Sequence, residues 1–282
     1  MFKKKTSEPT AIVINEIETE VVKFNVVGTS PLIMHRFASK AWQELLFPSP
    51  EKNKAERAQT LKHDPLAEYR ECMYRNRDAK RQTLFHLPNG MFHGAMTSAA
   101  IDMPGAKRAQ MERLTRVTDV NIDLYGVPQM FMAMVRNSDM ARTPDVRTRA
   151  IFPQYACSVS VRYVRGMITQ RAIANLFGAA GFIVGIGDWR PQRGGPYGSY
   201  RLVADNDKEF VSITRNQGRA AQQAAYDNPT YYDDDTRDLM RWFQAELTRR
   251  EKSASAPVLP KTRRVVTVGG NGGDERYMGA EQ

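Results

Sequence analysis

The stretch Gly185-Ile-Gly-Asp-Trp-Arg-Pro-Gln-Arg-Gly-Gly-Pro-Tyr-Gly-Ser-Tyr-Arg201 decides how this chain reads. It gathers five glycines, three arginines and three aromatic residues directly after an apolar, helix-like run. Glycine lets a backbone approach a ligand closely and turn its N–H donors outward. Arginine pairs bidentately with phosphate, and aromatic faces stack on bases. A turn needs glycine, but it does not need this density of guanidinium groups and rings. The stretch points to a polyanion, nucleic acid first. The spacing excludes a dinucleotide or P-loop fingerprint, because the glycines follow a helix and precede a strand.

Working outward, Thr169 caps the preceding helix, whose face carries Ala172, Ile173, Leu176, Phe177 and Ala180, with Gly181 as its expected stop. Tyr200 to Val203 begins a last strand. Three other segments alternate apolar and polar residues with period two: Val22 to Val26, Val120 to Leu124, and Cys157 to Tyr163. Leu84 to Gly90 reads as a short strand and turn, and Met91 to Ala100 as a helix of small residues. The order is strand, insertion, helix, strand, strand, helix, strand. That order predicts an α+β protein with a modified ferredoxin-like, RRM-like antiparallel sheet, helices on one face and the other face open.

The expected domain plan has an N-terminal arm at 1–19 and a core at 20–205 with a mostly helical insertion at 38–82. A helical extension at 206–250 follows, including an amphipathic helix with Leu239, Phe243 and Leu247 at four-residue spacing. A flexible tail at 251–282 ends the chain.

The chain has 282 residues, 41 basic against 31 acidic side chains and a net charge of +10. That balance favours RNA, DNA or another anionic surface. No apolar run reaches the roughly 18 residues of a membrane span, so no membrane partner is expected. The Met-Phe-Lys-Lys-Lys start has no apolar stretch behind it, so no signal peptide is expected and the cytoplasm is the expected compartment. Cys72 and Cys157 form no disulfide framework, and His35, His63, His86 and His93 show no paired ligand spacing. No metal and no cofactor are expected.

Candidate binding residues fall in four places. Met140 to Arg165 holds Arg142, Arg147, Arg149, Arg162 and Arg165 against the single Asp145. Arg162 alternates onto the open sheet face, where Lys23 and Asn25 belong too. The strand-end loop Gly28 to Phe37 delivers His35 and Arg36, and His35 is the one candidate general base for a ribose 2′-OH. His93, on the first turn of the small-residue helix, is a candidate phosphate ligand. In the glycine-rich stretch, Arg190, Arg193 and Arg201 are expected on phosphates, with Trp189 and Tyr197 stacking on bases.

Three of these segments together resemble the RAMP superfamily, the ferredoxin-like RNA-binding subunits of CRISPR effector complexes. Gly28-Thr-Ser-Pro-Leu32 resembles their first strand-end turn. Leu87-Pro-Asn-Gly-Met-Phe-His-Gly-Ala95 resembles the turn into a small-residue helix, and Gly185 to Leu202 the glycine-rich loop and final strand. This chain departs in placing its arginine after the aromatic, in Tyr197-Gly-Ser-Tyr-Arg201, and in carrying the insertion at 38–82. The resemblance implies a subunit that contacts the backbone of a single strand and assembles head-to-tail along it beside other effector subunits, with a thumb hairpin at 126–150. It also implies an alternative, a metal-independent endoribonuclease. A phage or mobile-element protein that binds single-stranded DNA or serves assembly, and a basic face for an acidic partner, fit the same residues.

Overall fold

The structure, a computed structural model, describes residues 16–37, 39–47, 61–136 and 143–255. The chain divides into two compact units, Met1–Met240 and Arg241–Gln282.

The first unit is built on β1 (Thr19–Gly28). Val22, Phe24 and Val26 point to one face of this strand, and Val21, Lys23, Asn25 and Val27 to the other, as period two requires. Its neighbours are β8 (Ala156–Val164) and β9 (Tyr200–Val203), both antiparallel. β4 (Thr115–Val117) pairs with the far side of β8. The sheet order is β4-β8-β1-β9. Counted along the core that is second, third, first, fourth, all antiparallel, which is the ferredoxin-like arrangement. The two crossover helices, α3 (Asn89–Ala99) and α5 (Gln170–Ile183), lie on the face of Val22, Phe24 and Val26. There Phe24 stacks on Phe177 at 5.3 Å, Phe92 stacks on Phe177 at 5.6 Å, and Tyr200 meets Phe92 edge-on at 5.6 Å. Burying these rings removes a large apolar surface from water.

The opposite face is not bare along its whole length. α6 (Lys208–Asn216) sets Ile213 and Phe210 against Val27, Ala156 and Val203, covering the end of the sheet nearest Gly28. The end nearest Val21 stays open.

Between β1 and α3 come β2 (Leu32–Met34), α1 (Ser39–Leu46), α2 (Pro65–Glu71) and β3 (Phe85–Pro88). Asp64 caps α2 through Ala67 N–H. α4 (Arg108–Leu114) leads into β4. The alternating segment at Val120 to Leu124, expected in the main sheet, becomes β5 (Asn121–Leu124) and pairs only with β3. The three-residue β4 takes the edge of the main sheet instead.

Gln129–Arg136 and Pro144–Phe152 form the hairpin β6–β7, which extends into a second sheet of order β2-β7-β6. Residues 230–232 cover its β6 edge through Met130 N–H on Thr230 and Tyr232 N–H on Met130. In α7 (Arg219–Asp227) the fully buried Gln222 donates to the Leu124 and Gly126 carbonyls and accepts from Leu84 N–H, tying the β3–β5 ribbon down.

α8 (Asp234–Ser255) begins in the first unit. Its remainder is the described part of the second unit, where Arg249 and Arg250 hold the Glu246 carboxyl down at about 2. Among the described residues, no helix is long and apolar enough to cross a membrane.

Candidate nucleic-acid interface

The glycine-rich stretch is a tight coil stitched to the end of β1. Ile186 N–H donates to Gly198 O, and Asp188 N–H to Ile33 O at 3.0 Å. Gly198 N–H donates to Pro31 O, and Thr29 N–H to Ser199 O. The Ser30 hydroxyl accepts Ser199 N–H. Two of the motifs singled out in the sequence thus interlock with one another.

The glycines serve this interlock. Gly198 has φ +77°, and a Cβ there would lie 1.8 Å from Ile186 O. Gly187 has φ +78°, and its Cβ would lie 2.5 Å from Ile33 O. The close approach they permit is to the protein's own backbone. Gly181, expected to stop α5, sits inside the helix against Tyr200, and the chain leaves the helix at Gly185.

Asp188 is the electrostatic hub of the coil. Arg149 of β7, with a side chain only 13% exposed, reaches it at 2.6 Å, and His35 Nδ1 stands at 3.6 Å. His35 and then the Arg149 charge hold the Asp188 carboxyl below its usual range, against the opposing effect of burial. Beside this hub Trp189 adopts φ +52°, an uncommon conformation for a bulky residue. It lies near-parallel to Tyr197 at 6.2 Å, and both rings pack on Ile33, Phe131 and Ile151 of the second sheet. A strained backbone held by packing is consistent with a coil fixed from several sides.

Next to the coil lies a groove of roughly 700 Å³. One wall is the loop from Val184 to Gln192, the opposite wall the N-terminal turns of α3 at Gly90, Met91 and Gly94, and His35, Phe37 and Tyr74 complete it. Nothing stands within 4 Å of where a Cβ would project at Gly90 or Gly94, so the backbone is uncovered at those two positions. The lining mixes two aromatic rings and several aliphatic groups with His35, Asp188, Gln192, Ser98 and Arg190, the last already bonded to Gly187 O and Gln192. Such a surface suits a planar base with hydrogen-bonding edges better than it suits a phosphate.

The structure brings together His35, Arg190 and, beside them, Arg36 and the Trp189–Tyr197 pair. It separates others and corrects several expectations. Asn25, expected on an open face, is buried, donating to Asp205 and accepting from Ser158. His93 turns toward Thr115 O at 3.2 Å and does not line the groove. Arg201 is engaged by Asp207 and Glu209. Arg190 donates to Gly187 O and to Gln192, which fixes the coil. Arg149 belongs to Asp188, and Arg147 pairs with Asp145 at 3.3 Å. Each of these four arginines already meets a carboxylate or a carbonyl of the chain. Trp189 and Tyr197 are partly buried in a packed cluster, not free platforms. Arg142 lies outside the described residues.

The remaining candidates are exposed. His35 (44%) and Arg36 follow β2, and Arg193 sits on the short 3-10 turn Pro191–Arg193. Lys23 and Arg162 share the outer face of the main sheet, as their alternation required. The reading from sequence missed Phe37, Tyr74, Asp188 and Arg116. Phe37 directly follows the His35–Arg36 pair and was legible as part of one exposed run. Tyr74 and Asp188 reach the site only through tertiary folding.

No family profile and no curated protein matches this chain. Among solved structures it is similar to a chain of the Type III-B Cmr-beta complex bound to cognate target RNA, described from cryo-EM. The two share 14% identity and a TM-score of 0.33, over 64% of this chain and 59% of that one. The chain therefore matches under two thirds of that neighbour's length. The ferredoxin-like assignment rests on the strand order set out above.

Proposed function

We propose that this protein binds single-stranded nucleic acid, RNA in the first instance, as a RAMP-like subunit whose groove receives bases while cations at its rim meet phosphates. The observation that carries the reading is that His35 and Phe37, on either side of the exposed Arg36, line with Tyr74 a groove that opens opposite Gly90 and Gly94 of α3. Phe37 and Tyr74 offer faces on which unpaired bases stack, and Arg36 and Arg193 lie where the sugar-phosphate chain would leave. A duplex keeps its bases stacked inside, so such a groove selects single strands. Titrating labelled single-stranded RNA against the protein at increasing salt tests this. The expectation is binding that weakens steeply with salt, and a loss of about 1–3 kcal/mol in Phe37→Ala. No binding at low salt, or a flat salt response, sinks it. Head-to-tail assembly along the strand belongs to the same proposal. Gel filtration with a long oligonucleotide should then show species larger than one protein per strand.

A second reading is favoured by one contact. Asp188, 3.6 Å from His35 Nδ1, would orient the imidazole with Nε2 free to take a ribose 2′-OH proton. It predicts metal-independent cleavage that disappears in His35→Ala. Intact RNA after prolonged incubation with saturating protein would leave the binding subunit alone.

A further inference from the structure

The open end of the main sheet, on the face away from α3 and α5, carries a cluster of cations. In the register of β4 and β8, Arg116 stands directly opposite Arg162, and in that of β8 and β1, Arg162 stands opposite Val21 and Ser160 opposite Lys23. All three cations are exposed, and Val21 between them is 52% exposed. Like charges directly opposite one another across a sheet are destabilising. Here the pair is not neutralised: among the described residues, no ion pair reaches Lys23, Arg116 or Arg162. Arg116 uses one terminal nitrogen to cap the Glu112 and Thr115 carbonyls at the end of α4. The neighbouring acid, Asp119, accepts Ser160 N–H at 3.0 Å. The groove lies at the other end of β1 and across the sheet, so these groups cannot serve it.

We propose that this outer face, centred on Arg116, Arg162 and Lys23, is a second phosphate-binding surface for the same nucleic-acid strand once that strand extends beyond the groove. It rests on the reading of the groove as a single-strand site. An external polyanion relieves the repulsion of the opposed guanidinium groups, each of which offers a fork to a phosphate. A flat face that mixes cations with one aliphatic side chain follows a backbone without reading its sequence.

The test uses the full chain and single-stranded RNA of two lengths, about 4 and about 16 nucleotides. For the long strand, the Arg116→Gln/Arg162→Gln double variant should bind about tenfold more weakly. It should also lower the slope of log affinity against log salt by about 1.4, or about 0.7 for each contact removed. Its affinity for the short strand should equal that of the parent protein. Lys23→Gln, which disturbs no helix cap, should lower the long-strand slope by about 0.7 and leave the short strand unaffected. Equal losses on both lengths, or no loss on the long strand, overturn the second surface. If Phe37→Ala leaves short-strand binding intact, the groove reading falls by itself. If neither length binds the parent protein, both fall.

Discussion

The two ends of β1 treat cations in opposite ways. Around Gly28 three arginines are built into the fold: Arg149 is held by Asp188, Arg190 by Gly187 O and Gln192, and Arg201 by Asp207 and Glu209. Around Val21 the cations stand in solvent, two of them facing each other across the sheet. Abundance of arginine in a segment therefore does not mean that its cations are free for a ligand. In the richest stretch Arg190 uses its guanidinium group to hold the coil and Arg201 to hold the start of α6, while Arg193 is left exposed. The poorer one keeps them available.

The contrast breaks most readily at Gly198. Gly198→Ala puts a Cβ onto Ile186 O at positive φ and should cost on the order of 3 kcal/mol. Thermal unfolding should drop by about 8 °C for a unit of this size. An unchanged midpoint would mean that the coil is not fixed as described. Asp188→Ala comes next, because it leaves the nearly buried Arg149 without its partner. A loss of about 2 kcal/mol, measured by urea unfolding, is expected, and Arg149→Met/Asp188→Ala should recover part of it.

A smaller effect comes from His86, whose ring packs near Tyr74 beside the groove. Burial, followed by the Arg81 charge, lowers its affinity for a proton in the folded state. The unfolded chain then binds the proton more readily, so this contribution is complete above the ordinary imidazole range near 6.5 and is lost as pH falls below it. Stability should decline between about pH 7 and pH 5, and His86→Gln should flatten that decline. Smallest is Arg193→Gln. It should leave unfolding unchanged and weaken strand binding about threefold, sharpening the difference between a rim cation and the embedded Arg190.

Much of the fold was legible because strong periodicities coincide with the central strands. Val22 to Val26 and Cys157 to Tyr163 alternate apolar and polar residues as their strands do, and the helix after Thr169 carries its cap in its sequence, with Thr169 Oγ1 accepting Ala172 N–H at 3.2 Å. β4 was not legible, because three residues are too few to show alternation. Its place went to the better-patterned β5, whose partner β3 is fixed instead by Gln222 from far along the chain. The site was legible in its motifs but not in its roles. Whether an arginine is free depends on carboxylates such as Asp188 and Asp207, and nothing in local spacing says which acid folds against which base. Asn25 shows the same limit, because its burial comes from Asp205, beyond the last strand.

The interlock between the end of β1 and the glycine coil also bears on how the molecule is made. β1 is an interior strand of its sheet, yet it is synthesised well before its partners β8 and β9, which begin only at Ala156 and Tyr200. Until those arrive it can pair with nothing native, and Gly28 to Met34 has no coil to thread against. Closing such long loops is slow, and the waiting strand exposes unpaired amides and an apolar face. Synthesis past Val203 is thus the step at which this core first becomes able to close. A truncation ending before the glycine coil should accumulate as aggregate instead of as a smaller folded domain.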